Sequence, residues 1–230
     1  MLICNIGNQH FGSFDRAKEL IKTAHECGAD LIKSHAISFQ ECDPNKRTYY
    51  EMCSFSFEEY TDLIEYAREI GNDLFFDITG PTHQSLLFHQ QWRSVTAYDL
   101  NKTGSFVSDL DKDTSVAFLG DELFPPQLTK ANIVHSMNAL SSDPNLERIN
   151  ILRKIYNRNI GYSDKTIGID ACIKANDIYN SNIIEKHMTL EKGVLFNGKP
   201  IEETIYSVLP EEFEKLSRAL MLFKEDLILH

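Results

Sequence analysis

Three titratable side chains follow one another directly after an apolar run. Glu185, Lys186 and His187 close the segment NIIEKH, whose two isoleucines are typical of a buried strand. A carboxylate can move a proton, a lysine can hold an anion, and an imidazole can bind a metal or act as an acid or base. The sequence therefore predicts chemistry at the end of this strand.

Six other strand-like runs also end in polar side chains. They end in Asn5 with Asn8 and His10, Lys33 with His35, Asp77 with Thr79, Tyr98 with Asp99, His135 with Asn138, and Ser163 with Asp164 and Lys165. Any one of these residues alone could be a satisfied polar group with no function. Their recurrence at the same position in successive runs favours one shared site.

Eight short apolar runs alternate with amphipathic segments along the chain, beginning near residues 2, 30, 73, 94, 115, 131, 159 and 182. Such alternation is typical of a parallel sheet with right-handed crossovers, either closed or open and doubly wound. Eight repeats favour closure. We therefore predict one α/β domain over residues 1–230, a (β/α)8 TIM barrel whose site lies at the carboxyl ends of the strands.

Two amphipathic segments carry start and stop signals for helices. Ser13 is placed to cap the first helix and Gly28 to end it, while Ser56 and Glu59 form a capping-box pair before a second helix that ends at Gly71. Further helices are predicted over residues 143–157 and 168–179 and after Pro210, because proline suits a first helical turn. These helices supply the crossovers that the barrel requires.

The composition argues against several classes of protein. Lys and Arg number 23 against 34 Asp and Glu, a net charge of -11, so neither nucleic acid nor an anionic membrane is an expected partner. The five cysteines form no Cys-x-x-Cys pair, and no phosphate-binding glycine motif follows a strand. Without a signal peptide or an 18-residue apolar run, a cytoplasmic protein is expected.

Several blocks of the sequence resemble the sialic acid synthase family, which makes N-acetylneuraminate and related nonulosonates. GNQHFG and GADLIK resemble the family's G-x-N-H-x-G and G-A-D-x-x-K blocks. IGYSDKTIG and IIEKHMTL resemble G-Y-S-D-H-T-x-G and I-I-E-K-H-x-T-L, and YSVLPEEF resembles the closing S-x-x-P-x-E-F segment. The blocks stand in the family's order across nearly the whole chain.

The resemblance implies an enzyme of carbohydrate biosynthesis that condenses phosphoenolpyruvate with an N-acyl amino sugar and releases phosphate. The product would be a nine-carbon 2-keto acid, and a manganese or magnesium ion would polarise the aldehyde oxygen or activate water. By position, the substrate-binding residues would be Lys33, Thr79, Asn138 and Ser163, with His187 as a metal ligand. Together with the polar strand ends, this gives the candidate catalytic residues Glu185, Lys186, Lys165 and His10.

Five positions depart from the family's pattern. Asn5 stands in place of a catalytic carboxylate, and Lys165 stands in place of a metal-binding histidine. Ser94, Ala97 and Phe118 stand where a lysine and two serines would hold phosphate. A protonated lysine cannot ligate a cation, which puts the metal in doubt. We also expect no C-terminal antifreeze-like domain in this chain.

Three interpretations stay open from the sequence. In the first, the Lys165 ammonium replaces the metal in a working synthase. In the second, the barrel has lost catalysis and serves as a ligand-binding or partner protein. In the third, an aldolase-type enzyme forms a Schiff base at Lys33 or Lys186. Phosphoenolpyruvate and an amino sugar are the expected small-molecule partners of the first, and a homodimer is possible.

Overall fold

A curled parallel β-sheet lies at the centre of an α/β fold. The computed structural model describes residues 1–37, 40, 42, 44–79, 81–96, 115–119, 132–136 and 142–228. The strands are β1 Leu2–Gly7, β2 Leu31–Ile37, β3 Leu74–Thr79, β4 Arg93–Thr96, β5 Ser115–Leu119, β6 Asn132–Ser136, β7 Ile160–Asp164 and β8 Ile184–His187. All eight predicted strands are present.

The strands pair in sequence order, and all the pairs are parallel. β8 also pairs with β1, through Leu2 with Ile184 and Asn5 with His187, so the strand order is that of a closed barrel. The link between β3 and β4 is short, since only Asp77 and Ser94 are in register there. The connections after β4 and β5 fall outside the described residues, so a complete (β/α)8 repeat stays a prediction.

Most of the described helices pack on the outside of the sheet. The helices are α1 Phe14–Glu26, α2 Arg47–Cys53, α3 Phe57–Glu69, α4 Glu147–Tyr156, α5 Asp170–Asp177, α6 Glu202–Tyr206 and α7 Pro210–Ile228. Two 3-10 segments, Pro44–Lys46 and Pro81–Phe88, and a hairpin of β9 Leu195–Phe196 with β10 Lys199–Pro200 complete the described elements. None of the helices described is long and apolar enough to cross a membrane.

The predicted helix caps are confirmed. The Ser13 hydroxyl accepts a hydrogen bond from the Arg16 amide, and Ser56 and Glu59 exchange both bonds of a capping box. Each of these caps satisfies amide donors that a free helix end would leave without partners. The sequence did not predict α2, α6 or the β9–β10 hairpin.

Alternation along the strands separates two apolar clusters. Ile3, Leu31, Phe75, Val134 and Ile183 pack together on the inner face of the sheet. The neighbouring residues in each strand point outward and join a larger cluster formed with the helices. Because successive side chains of a strand face opposite sides, the same period of two decides which polar residues at the strand ends can meet inside.

Candidate functional site

A polar cavity of about 150 Å³ lies at the carboxyl ends of the strands. Its lining comes from β1, β2, β3, β6, β7, β8 and the segment after β8: Asn5, Lys33, His35, Asp77, Ser136, Ser163, Lys165, Glu185, His187, Glu203 and Tyr206. Five residues predicted for the site, namely Lys33, Ser163, Lys165, Glu185 and His187, therefore share one cavity.

Glu185 is the most heavily hydrogen-bonded side chain of this cavity. Its Oε1 accepts from Asn5 Nδ2 at 2.8 Å and from Ser163 Oγ at 3.1 Å, while its Oε2 lies 3.5 Å from Lys33 Nζ. These partners come from β1 and β7, which flank β8, and from β2, which lies beyond β1; strand register places Ser163 directly beside Glu185. The carboxylate is thereby fixed in the cavity wall.

Lys33 links two carboxylates across the inner face. Its Nζ lies 3.5 Å from Asp77 Oδ2 as well as 3.5 Å from Glu185 Oε2, and the side chain is almost fully buried. Burial of an ammonium group is tolerated when carboxylates compensate its charge. Lys33 is thus held in a fixed position where its ammonium group could also bind an anionic group of a ligand.

His187 faces the cavity as a buried imidazole. Its ring packs edge-on against Tyr206, with centroids 5.0 Å apart, and its Nδ1 has no hydrogen-bond partner among the described residues. Burial lowers the pKa of His187 well below 6.5, and the charges of His35 and Lys165 act in the same direction. The imidazole is therefore neutral at neutral pH and can accept a hydrogen bond.

Lys165 enters the cavity from the loop that follows β7. Burial lowers the pKa of its ammonium group from 10.5, and the positive charge of Lys33 adds to this effect. The carboxylate of Glu185 opposes the shift. A half-buried lysine with a lowered pKa is a more readily deprotonated amine than a surface lysine.

Comparisons with known proteins agree with this geometry. The NeuB family profile matches residues 132–227, which contain both the GYSD and the EKH blocks. N-acetylneuraminate-9-phosphate synthase of Mus musculus is 26% identical over 98% of this chain and 70% of its own length. An uncharacterised protein of Methanocaldococcus jannaschii is 29% identical over 97% of this chain and 71% of its own.

A solved structure extends the likeness to the fold. The N-acetylneuraminic acid synthetase of Leptospira borgpetersenii, crystallised with citrate, superposes with a TM-score of 0.82 at 21% identity, covering 98% of this chain and 84% of that one. The chain is therefore similar to sialic acid synthases in sequence and in fold. The resemblance drawn from the sequence blocks is confirmed.

In this synthase-like chain Lys186 lies outside the cavity, contrary to its predicted catalytic place. Its Nζ donates to Asp164 Oδ2 at 2.7 Å and to the Thr166 carbonyl at 2.5 Å, and both charged side chains are fully buried. Lys186 stands between Glu185 and His187 in β8, so strand alternation turns it to the outer face. Its observed role is to anchor the loop after β7.

His10 also lies apart from the cavity lining. Its Nδ1 accepts a hydrogen bond from the Gly12 amide at 3.1 Å, and its ring stacks on Phe55 with centroids 4.5 Å apart. Burial, with smaller effects from His35 and Arg16, lowers the pKa of His10 to about 3. His10 shapes the turn after β1, and its catalytic role stays a prediction.

The roles of two predicted substrate-binding residues, Thr79 and Asn138, stay predictions. Thr79 is the last residue of β3, the strand that also contributes Asp77 to the cavity. Asn138 lies outside the described residues, as do Tyr98, Asp99 and Ala97. Their roles rest on the resemblance to the synthase family alone.

Sequence reasoning missed Glu203 and Tyr206, which reach the cavity from α6. Glu203 Oε2 lies 3.3 Å from the Asn8 amide and 3.3 Å from Gln9 Nε2, and its Oε1 lies 3.6 Å from His35 Nδ1. Gly7 makes room for it, since a Cβ there would come within 2.6 Å of Glu203 Oε2. No periodic pattern marks this segment, so nothing in the sequence signalled its approach.

The donors present do not fit a divalent metal. Within the described ranges, no three His, Cys, Asp or Glu side chains converge as a metal site would require. His187 Nδ1 has no hydrogen-bond partner in the part of the chain that the structure describes, but Lys165 and Lys33 lie close enough to lower the pKa of the His187 ring. A cation placed there would face two ammonium groups, which repel it.

Proposed function

We propose that this protein is a sialic acid synthase-like transferase with a complete (β/α)8 barrel. It would condense phosphoenolpyruvate with the aldehyde form of an N-acyl amino sugar and release phosphate and a nine-carbon 2-keto acid. The observation that supports this most is the convergence of Lys33, Ser163, Glu185 and His187 on one cavity. Likeness to named synthases supports a transferase-type enzyme.

The cavity residues suit the steps of such a condensation. The enol carbon would attack the aldehyde carbon, the carbonyl electron pair would move to the aldehyde oxygen, and that oxygen would take a proton. Water would then add at the second carbon of phosphoenolpyruvate, and the phosphate would leave. Lys33 would hold an anionic group, and Glu185 would handle the protons.

Lys165 would supply positive charge to the developing oxyanion in place of a metal. A positive group fixed near such an oxygen lowers the barrier more in a water-poor site than in bulk water. The place of Lys165 in the cavity lining, where the resemblance implies a histidine, supports this substitution.

A phosphate-release assay tests the proposal. Phosphoenolpyruvate is supplied with N-acetylmannosamine or related amino sugars, with manganese, without it, and with a chelator. Turnover that persists in the chelator is expected. Absence of phosphate release with every sugar contradicts the synthase proposal, and complete inactivation by the chelator contradicts the metal-free form of it.

A second candidate function is ligand binding without turnover. Three carboxylates, Asp77, Glu185 and Glu203, face two ammonium groups, Lys33 and Lys165, around the described cavity. Asn5 and Lys165, which stand where the resemblance implies a catalytic carboxylate and a metal-binding histidine, line the same cavity and favour binding without turnover. Calorimetric titration with phosphoenolpyruvate separates the candidates: heat of binding without phosphate release supports a binding protein.

A further inference from the structure

The three lysines near the strand ends differ in how their ammonium groups are engaged. Lys33 lies between Asp77 and Glu185, and Lys186 is sealed against Asp164 and Thr166 on the outer face. Lys165 lines the cavity, and its side-chain nitrogen makes no hydrogen bond or ion pair with any residue that the structure describes. It is the lysine best placed to react with a bound molecule.

The loop that carries Lys165 is held on both sides of that residue. Asp164 Oδ1 accepts from the Thr166 amide at 3.0 Å and from the Thr166 hydroxyl at 2.9 Å. On the outer face of the sheet, Lys186 Nζ donates to Asp164 Oδ2 and to the Thr166 carbonyl. The backbone of Lys165 is therefore fixed, so its side chain enters the cavity from a rigid support.

The charge around the cavity indicates the class of molecule that would meet this amine. The described carboxylates outnumber the ammonium groups by three to two, and hydroxyl and imidazole groups of Ser136, Ser163 and His187 complete a polar lining. Such a lining suits an uncharged molecule rich in hydroxyl groups better than a multiply charged anion.

We propose that Lys165 forms an imine with the carbonyl carbon of an uncharged hydroxyaldehyde, such as an open-chain sugar, bound in this cavity. This activity is separate from the condensation with phosphoenolpyruvate and needs neither a phosphate ester nor a metal. The imine would form at Lys165 and not at Lys33 or Lys186, the two lysines that the sequence suggested for a Schiff base.

The atoms of this step balance without a further reactant. The neutral Nζ attacks the carbonyl carbon, a C–N bond forms, and the carbonyl oxygen takes a proton to give a carbinolamine. The nitrogen then loses its proton and forms the C=N bond as the hydroxyl group leaves as water. Glu185 lines the same cavity and is the carboxyl group suited to exchanging these protons.

Burial favours the reactive form of the amine. Desolvation and the charge of Lys33 lower the pKa of Lys165, although Glu185 opposes them, so a larger fraction of this amine is neutral than of an exposed lysine. The synthase role requires the ammonium form and the imine requires the neutral form. The two uses of Lys165 therefore have opposite pH dependences.

Reductive trapping tests the imine. The whole protein is incubated near pH 6 with glyceraldehyde and cyanoborohydride, without phosphoenolpyruvate, and the intact mass and its peptides are measured. We expect one adduct per chain, with the mass of glyceraldehyde less one oxygen atom, located at Lys165. Absence of an adduct, or adducts spread over exposed lysines, overturns the proposal.

Two variants serve as matched controls. Lys165→Arg keeps the positive charge but cannot form the imine, so the adduct should disappear while thermal unfolding stays cooperative. Lys192→Arg should keep the adduct, because Lys192 lies outside the cavity lining and binds the Ser207 carbonyl. An adduct that survives in Lys165→Arg contradicts the assignment, and Lys165→Met repeats the test if the arginine variant unfolds.

A second trapping reaction, with pyruvate in place of glyceraldehyde, tests whether the cavity prefers an uncharged molecule. At equal concentration, pyruvate should label Lys165 more slowly than glyceraldehyde, because its carboxylate meets an excess of negative groups. Equal or faster labelling by pyruvate overturns the choice of an uncharged substrate. Phosphate release plays no part in these measurements, so failure of the synthase assay leaves the imine test intact.

Discussion

At the scale of single residues, Glu185 connects the site to the barrel. It accepts hydrogen bonds from Asn5 and Ser163 and pairs with Lys33, so its position depends on β1, β7 and β2. Asn5 Oδ1 accepts from the Gly7 amide at 2.9 Å, which turns the NH2 of Asn5 towards Glu185. The Asn5 amide therefore holds the Glu185 carboxylate in place.

Replacing Glu185 with glutamine tests its proton-handling role. Since glutamine keeps the size but cannot exchange a proton, phosphate release should fall by about 10²- to 10⁴-fold. Ser163→Ala removes only one hydrogen bond and should lower the rate by about tenfold or less. The comparison uses kcat/KM in the phosphate-release assay, and a Glu185→Gln variant as active as the parent contradicts the role.

The buried histidines predict a pH dependence of stability. His10, with a pKa of about 3, and His187 stay neutral in the folded protein below pH 6.5, whereas the unfolded chain takes up protons there. The unfolded state then binds more protons, so the free energy of unfolding falls as the pH drops below 6.5 and loses this dependence above it.

Urea denaturation between pH 5 and 6 measures this dependence. Each neutral buried histidine contributes a slope of up to about 1.4 kcal/mol per pH unit. His10→Gln, which can still accept the Gly12 amide, should show a smaller slope than the parent protein. An unchanged slope would mean that His10 is protonated in the folded state.

At the scale of elements, β7 and β8 present two different pairs on their two faces. Ser163 and Glu185 meet inside, while Asp164 and Lys186 meet outside, and strand register aligns both pairs. The period of two was readable in GYSDK and EKH, so the outward direction of Lys186 was predictable. The prediction that Lys186 is catalytic used residue type alone, since all three titratable side chains of EKH can take part in catalysis, and did not apply this alternation.

Lys186→Met tests the outer pair. It leaves the Asp164 carboxylate buried without its counter-charge, which should cost about 3–5 kcal/mol in the free energy of unfolding. Adding Asp164→Asn removes that charge and should restore part of the loss. Arg218→Ala breaks the exposed Glu214–Arg218 pair of α7 instead and should cost under about 1 kcal/mol. Equal losses in the two single variants would contradict the buried pair.

At the scale of the whole molecule, the strands, the principal helices and the strand-end residues of the cavity followed from local patterns, and the approach of α6 to the cavity did not. Apolar runs and caps depend on neighbouring residues, so eight strands and five helices were predicted from the sequence. The Glu203 carboxylate lies near the Asn8 amide, 195 residues away in the chain. Such contacts arise only when the entire barrel is assembled, and no local period encodes them.

Close packing inside the barrel predicts sensitivity at Gly161. A Cβ there would lie 2.9 Å from both Ile183 Cβ and Val134 Cγ2. Gly161→Ala should therefore cost about 1–3 kcal/mol in the free energy of unfolding. Gly71→Ala is the control, because the nearest atom there is 4.0 Å away. Since φ is +87° at Gly71, this variant measures only the free-energy cost of a side chain in the left-handed backbone region. Thermal and urea unfolding compare them, and a neutral Gly161→Ala contradicts the packing.

The pairing of β8 with β1 also has a consequence for synthesis on the ribosome. Asn5 leaves the exit tunnel about 180 residues before its partner Glu185 does. Until then the emerging chain keeps an open edge on its first strand, a surface that chaperones and other nascent chains can engage. The cavity wall that contains Asn5 and Glu185 is therefore complete only after the eighth strand has been translated.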